Sequence, residues 1–212
     1  MGNGRLPSVT SARRFRVLRD APRALDGRAA EDLRFIRRTM EDSSTFTAVP
    51  GAGGMAMGGV GCAAAAVAAM QTTPAAWLVA WLTGAAVAIL VGAVGLARKS
   101  RAAGRPALHP IASKFVRSLM PPLVAGAVLT AVMWRAGLRD ALPGTWLLLY
   151  GTGLLTAGAL SIAVVPILGG CFVALAAAAF LTPAAWGDLW MAAGFGGLHL
   201  AFGFVIWRRH GG

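Results

Sequence analysis

Between Asp42 and Asp140 this chain carries no acidic residue. It has eight Asp and Glu in 212 residues, and six of them precede residue 43. Charged residues make up only 13% of the chain, where a soluble globular protein carries about 25%. That scarcity excludes an ordinary water-facing surface over the central and C-terminal regions. It also excludes chemistry that needs carboxylates at membrane depth, such as paired acids for proton transfer or the acidic relay of a proton-coupled transporter. No cluster of His, Cys, Asp and Glu has metal-ligand spacing, and no glycine-rich phosphate loop is present. The two cysteines, Cys62 and Cys171, fall inside apolar runs and say little about redox compartment. No cleavable signal peptide is expected, because the first apolar run begins only near residue 48. MGNGRL lacks the Ser or Thr that a myristoylation pattern needs at position 6.

What fills the chain instead is apolar: 57% hydrophobic residues and a mean hydropathy of +0.65. Six runs are long enough to cross a bilayer, since a helix rising ~1.5 Å per residue needs about 20 residues for ~30 Å of hydrocarbon. They cover 49–71, 74–97, 119–138, 143–164, 166–182 and 184–207. The fifth is short, and VVPILGG (164–170) leaves the fourth and fifth almost no linker, so a tight hairpin is expected there. Residues 1–25 read as a flexible Arg-rich tail. Residues 26–48 read as an amphipathic juxtamembrane helix and connecting loop, with Ala30, Leu33, Ile36 and Met40 forming one apolar stripe. Residues 208–212 form a short basic C-terminus.

The positive charges set the orientation. Of 20 Lys and Arg, ten precede the first span, six (Arg98, Lys99, Arg101, Arg105, Lys114 and Arg117) lie between the second and third, and Arg208 and Arg209 follow the last. An even number of spans puts all of these on one side, which the positive-inside rule makes cytoplasmic. Only Arg135 and Arg139 fall opposite. The net charge of +12 is therefore assigned to a membrane surface and not to nucleic acid. Arg13, Arg14, Arg16, Arg34, Arg37 and Arg38 are the expected contacts to anionic lipid headgroups or a partner protein.

One phrase occurs twice. TPAAWLVAW (73–81) and TPAAWGDLW (182–190) both read T-P-A-A-W-x-x-x-W, and Gly61-Cys62 and Gly170-Cys171 keep the same 109-residue offset. A weaker version, PGTWLLLY (143–150), marks the middle hairpin. PGAGG (50–54), PLVAG (122–126) and PILGG (166–170) open the odd-numbered spans. Proline starts a helix cleanly, small residues let helices approach, and Trp or Tyr one turn apart favours the headgroup level. The expected fold is all-α: a six-transmembrane-helix bundle of three helical hairpins, the first and third read as a duplication, with N- and C-termini cytoplasmic. Trp77, Trp81, Trp146, Tyr150, Trp186 and Trp190 are the expected interfacial anchors. Parallel repeats of this kind occur in transporters and also in inert scaffolds. The carrier signature P-x-[DE]-x-x-[KR] is absent, which rejects the mitochondrial carriers.

RFIRRTMEDSSTFTAVPG (34–51) resembles the juxtamembrane stretch of a group of uncharacterised bacterial integral membrane proteins, in which R-F-I-R-x-T-M-E is followed by F-T-A-V-P-G. The resemblance covers under a tenth of the chain. It implies a bacterial cytoplasmic membrane and no known activity.

His199 is the one histidine inside a span, in GFGGLHLAFG (194–203). Gly196 and Gly203 share its helical face, so a flat ring such as a tetrapyrrole could lie there; a neutral core histidine fitted by the glycines is the plainer reading. Ser161 with His199 invites comparison with an intramembrane serine protease, but GALSIA (158–163) is not G-x-S-G. Arg135, Arg139, Asp140 and Asp188 either pair across the outer rim or snorkel to it. The expectation drawn is a non-enzymatic scaffold or accessory subunit of a larger membrane complex, with no cofactor, surrounded by lipid and by other membrane subunits. The alternatives are a small-solute transporter or channel, with a polar cavity near His199, Ser161 and Thr156, and a haem- or pigment-binding protein using His199.

Overall fold

The computed structural model describes residues 31–36, 50–102, 110–159 and 161–210. The chain divides into two units, 1–44 and 45–212. In the first, residues 31–36 are helical, with Leu33, Phe35 and Ile36 exposed. Arg34 lies in this helix and is exposed, while Arg13, Arg14, Arg16, Arg37 and Arg38 lie outside the described residues. So does the rest of the amphipathic stretch expected over 26–48.

The second unit is helical throughout its described elements. They are α1 (Gly51–Ala69), α2 (Pro74–Ala102), α3 (Pro110–Arg135), α4 (Leu142–Gly158), α5 (Val164–Leu181) and α6 (Ala184–Arg209). Five of these (all but α4) are long and apolar enough to cross a membrane. At 17 residues, α4 spans only about 25 Å. It is nonetheless the most enclosed helix, with nine buried residues including Leu142, Leu147, Gly151 and Leu154.

Glycine brings the helices together. A Cβ on Gly151 would lie 2.9 Å from the Gly169 carbonyl oxygen, and one on Gly169 would lie 2.8 Å from the Gly151 oxygen, so α4 and α5 touch backbone to backbone. The α1–α6 contact is built the same way: a Cβ on Gly58 would lie 2.7 Å from Leu200 N, and one on Gly203 would lie 2.9 Å from the Gly54 carbonyl carbon. In lipid, helices gain nothing by hiding apolar surface from each other, so close packing of this kind supplies the attraction. Phe172, Leu142, Leu147 and Met191 are the largest fully buried side chains and mark the core between α4, α5 and α6. α2 packs chiefly on α1, and α3 on α4. Only 6% of the apolar window of each is buried, against 33% for α1 and α6, so α2 and α3 are peripheral.

Four helix ends depart from the sequence expectation; among them, α2 runs on to Ala102, not 97, and α3 stops at Arg135, not 138. Helix α3 begins at Pro110, not near 119, and runs through Pro121 and Pro122. The double proline removes two backbone donors, and Pro122 leaves the Ser118 carbonyl without its helical partner. The Thr156 hydroxyl of α4 lies 3.5 Å from that oxygen. Helix α4 stops at Gly158, not 164, and Pro166 packs on the bare Gly158 backbone: a Cβ there would sit 2.8 Å from Pro166 N. At the end of α3, Gly137 takes φ +75, and Gly137 N and Leu138 N bond back to Trp134 O and Met133 O. This is a Schellman stop, which only glycine enters without cost.

Candidate functional site

Helix α6 is not a uniform α-helix. Residues Ala192–Leu198, AAGFGGL, form a π-helical stretch between α-helical Gly187–Met191 and His199–His210. Three glycines in seven residues remove the side chains that would crowd a widened turn, and such turns often coincide with functional sites. The extra residue per turn swings His199 inward, where it is 6% exposed. Its ring stacks on Phe195 at 14° with centroids 6.4 Å apart, and lies 5.4 Å from the rings of both Tyr150 and Phe172.

Both ring nitrogens have partners. Nε2 is 2.8 Å from the Tyr150 hydroxyl, and Nδ1 is 3.4 Å from the Gly194 carbonyl oxygen. A carbonyl oxygen only accepts, so the network assigns the proton to Nδ1, and Tyr150 O–H donates to Nε2. The Gly194 oxygen is in reach because the π turn displaces the local backbone.

A second polar cluster joins the two copies of the repeated phrase. Trp77 Nε1 and Trp81 Nε1, both from the first copy, donate to Asp188 Oδ1 in the second at 2.8 and 3.0 Å. Trp146 Nε1 donates to Thr130 Oγ1 at 2.8 Å, and Trp190 Nε1 donates to Thr182 Oγ1 at 2.8 Å. Trp77 also stacks on Trp146, 5.8 Å between centroids and 8° from parallel. Of the residues expected as interfacial anchors, Trp81 is buried, Trp77, Trp146, Tyr150 and Trp190 are half-buried, and Trp186 is exposed over Trp190. Four of these indoles therefore direct their N–H groups into the protein. Every buried side-chain nitrogen or oxygen among the described residues has a partner.

Beside His199 and Tyr150 lies a half-enclosed groove of about 250 Å³. Its lining joins Trp81, Trp146, Tyr150 and Phe195, with the Trp81 and Tyr150 rings both against Phe195, to Met57, Leu123 and, about two turns further along α2 from Trp81, Ala88 and Ile89. Its lining is almost wholly apolar, and α2 and α3 supply its facing sides.

The glycine face expected to admit a flat ring is filled by α1. A Cβ on Gly196 would lie 2.6 Å from Cys62 Sγ, and one on Gly203 would lie 2.5 Å from Met55 N. A metal ion in a tetrapyrrole could reach His199 only by displacing the Tyr150 hydroxyl from Nε2 or the Gly194 carbonyl from Nδ1. Ser161 is buried in the α4–α5 connection, beyond the end of α4, which itself lies about 12 Å along that helix from Tyr150. His199 thus has Tyr150 and Gly194 as partners, not Ser161. Thr156 bonds to Gly153 O and Thr152 O of its own helix. Neither Ser161 nor Thr156 lines the groove. Arg139 places its guanidinium 5.5 Å over the Trp134 ring. Cys62 is exposed, Cys171 half-buried, and both are free thiols.

The Tyr150–His199 pair is the feature sequence reading missed. Nothing in the local sequence links two residues 49 apart, and the π turn that aims the histidine has only the glycines of GFGG as a sign. The Asp188 cluster had a better signal. If both T-P-A-A-W phrases lie at one level of the bundle, Asp188 lies level with Trp77 and Trp81. No protein-family model, curated protein or solved structure matches this chain.

Proposed function

We propose that this chain is a six-crossing protein of the bacterial cytoplasmic membrane, with both termini inside, that acts without catalysis as a scaffold or accessory subunit of a larger membrane assembly. One observation carries the functional reading. The polar side chains at bundle depth are spent on one another: Asp188 on two indoles, Trp146 on Thr130, His199 on Tyr150. Such a network braces a fixed arrangement of helices, and a groove with apolar walls offers a solute no polar path.

The six-crossing arrangement counts α4 as a span. Its ~25 Å is short for ~30 Å of hydrocarbon, and local thinning of the bilayer covers the difference at modest cost. Eighteen of the 20 Lys and Arg then fall inside. We read the first and third hairpins as a duplication that has diverged in packing. In support, the phrases T-P-A-A-W and Gly-Cys keep one offset. Their present roles differ: Thr73 Oγ1 accepts from Ala76 N at the start of α2, whereas Thr182 Oγ1 donates to Ala178 O at the end of α5. Gly170 has open space where a Cβ would go, while Gly61 abuts Phe195.

The test is gentle detergent extraction from native membranes, native-gel separation and mass spectrometry of co-migrating chains. A stable set of partners supports the accessory role. A chain that runs alone at every detergent strength removes it.

A further inference from the structure

The groove beside His199 has a chemistry more specific than an apolar surface. Its volume of about 250 Å³ exceeds what one small ring needs, since a cavity of ~150 Å³ admits benzene. Its two ends differ: aromatic walls at Trp81, Trp146 and Phe195, aliphatic ones at Met57, Ile89 and Leu123. Rings favour offset or edge contacts with other rings, so a ring belongs at the first end and a short aliphatic tail at the second.

The polar atoms along this wall are also asymmetric. Gly194 O fixes the proton of His199 on Nδ1, so Tyr150 spends its only proton on Nε2. Its oxygen keeps acceptor capacity and has no donor left to offer. Thr130 Oγ1 is in the same state, because it donates to Gly126 O at 2.7 Å and accepts from Trp146. A guest that brings its own donor is therefore matched, and one that offers only acceptors is not.

We propose that this groove is a binding site for a membrane-soluble molecule with one aromatic ring and a hydroxyl group, the hydroxyl donating to the Tyr150 oxygen and the tail running between α2 and α3. A phospholipid acyl chain would fill the aliphatic end but brings no donor.

The test uses the full chain in phospholipid nanodiscs, dialysed to equilibrium against empty nanodiscs so that partition into lipid cancels. The probes are 4-pentylphenol and 4-pentylanisole, which share one ring and a short aliphatic tail and differ in the donor. The wild type should retain 4-pentylphenol saturably and roughly five- to tenfold more tightly than the methyl ether, the discrimination one net hydrogen bond gives. Tyr150→Phe combined with His199→Phe, which removes the hydroxyl and the Nε2 acceptor it would otherwise uncover, should bring the two probes to parity. Ala127→Trp, from the exposed side of α3 into the groove, should abolish retention of both. If that double variant fails gel filtration, the wild-type probe pair and Ala127→Trp decide alone. Equal retention of both probes by the wild type, no retention above empty discs, or retention that survives Ala127→Trp overturns the proposal.

Discussion

Replacing Asp188 with leucine should cost the folded bundle about 3 kcal/mol, since a hydrogen bond to a charged group contributes roughly 1.5–3 kcal/mol and two are lost. The lower figure applies per bond for two reasons. Asp188 is only half-buried, and hydrogen bonds between helices in membrane proteins average below ~1 kcal/mol when both partners are neutral. Leucine has similar bulk, so the loss falls on the indoles of Trp77 and Trp81, which donate to one oxygen at 2.8 and 3.0 Å. Asp188→Asn keeps an acceptor and should cost about half as much. The assay is reversible unfolding in mixed micelles followed by tryptophan fluorescence. A double-mutant cycle of Asp188→Leu with Trp81→Phe isolates the pair and should give about 1–2 kcal/mol of coupling. A change within about 0.5 kcal/mol for Asp188→Leu, the ordinary range for a surface substitution, would refute the brace.

Glycine substitutions divide by what a methyl would meet. Gly58→Ala and Gly151→Ala should each destabilise by at least about 2 kcal/mol, the upper range for overpacking against backbone. Gly59→Ala and Gly170→Ala, with nothing within 4 Å, should be neutral or stabilise by up to about 1 kcal/mol through helix propensity. Unfolding in the same micelles separates the two pairs, and equal effects at all four sites would contradict the helix contacts described above. Gly137→Ala should cost about 1–2 kcal/mol, because φ +75 forces the left-handed region on a residue with a Cβ. Gly137→Asn should cost less, since Asn tolerates that region.

The sequence was most legible where one physical cause acted alone. Apolar length located the helices: α1, α5 and α6 begin or end within a few residues of the runs over 49–71, 166–182 and 184–207. It failed where packing overrode local signals. Pro122 reads as a helix start, yet the helix continues through both prolines, with Gly153 of α4 packed against Pro122 (a Cβ there would lie 3.4 Å away). The N–H partners of the tryptophans are a separate matter from their depth: Asp188, Thr130 and Thr182 come near only in the assembled bundle. Gly196 and Gly203 share one face of α6 while the His199 ring turns to Tyr150 and Phe172, and composition does not say whether a glycine face admits a ligand or a neighbouring helix. Here it meets α1.

The arrangement of the chain across the bilayer underlies every functional statement above, and labelling of intact cells tests it most directly. In a background of Cys62→Ala and Cys171→Ala, single cysteines are placed at the exposed positions Thr72, Arg139 and Ala102. A membrane-impermeant thiol reagent should label Thr72→Cys and Arg139→Cys in intact cells, and Ala102→Cys only after the membrane is opened. Labelling of Ala102→Cys in intact cells, or protection of Arg139→Cys there, would contradict the six-crossing, termini-inside account.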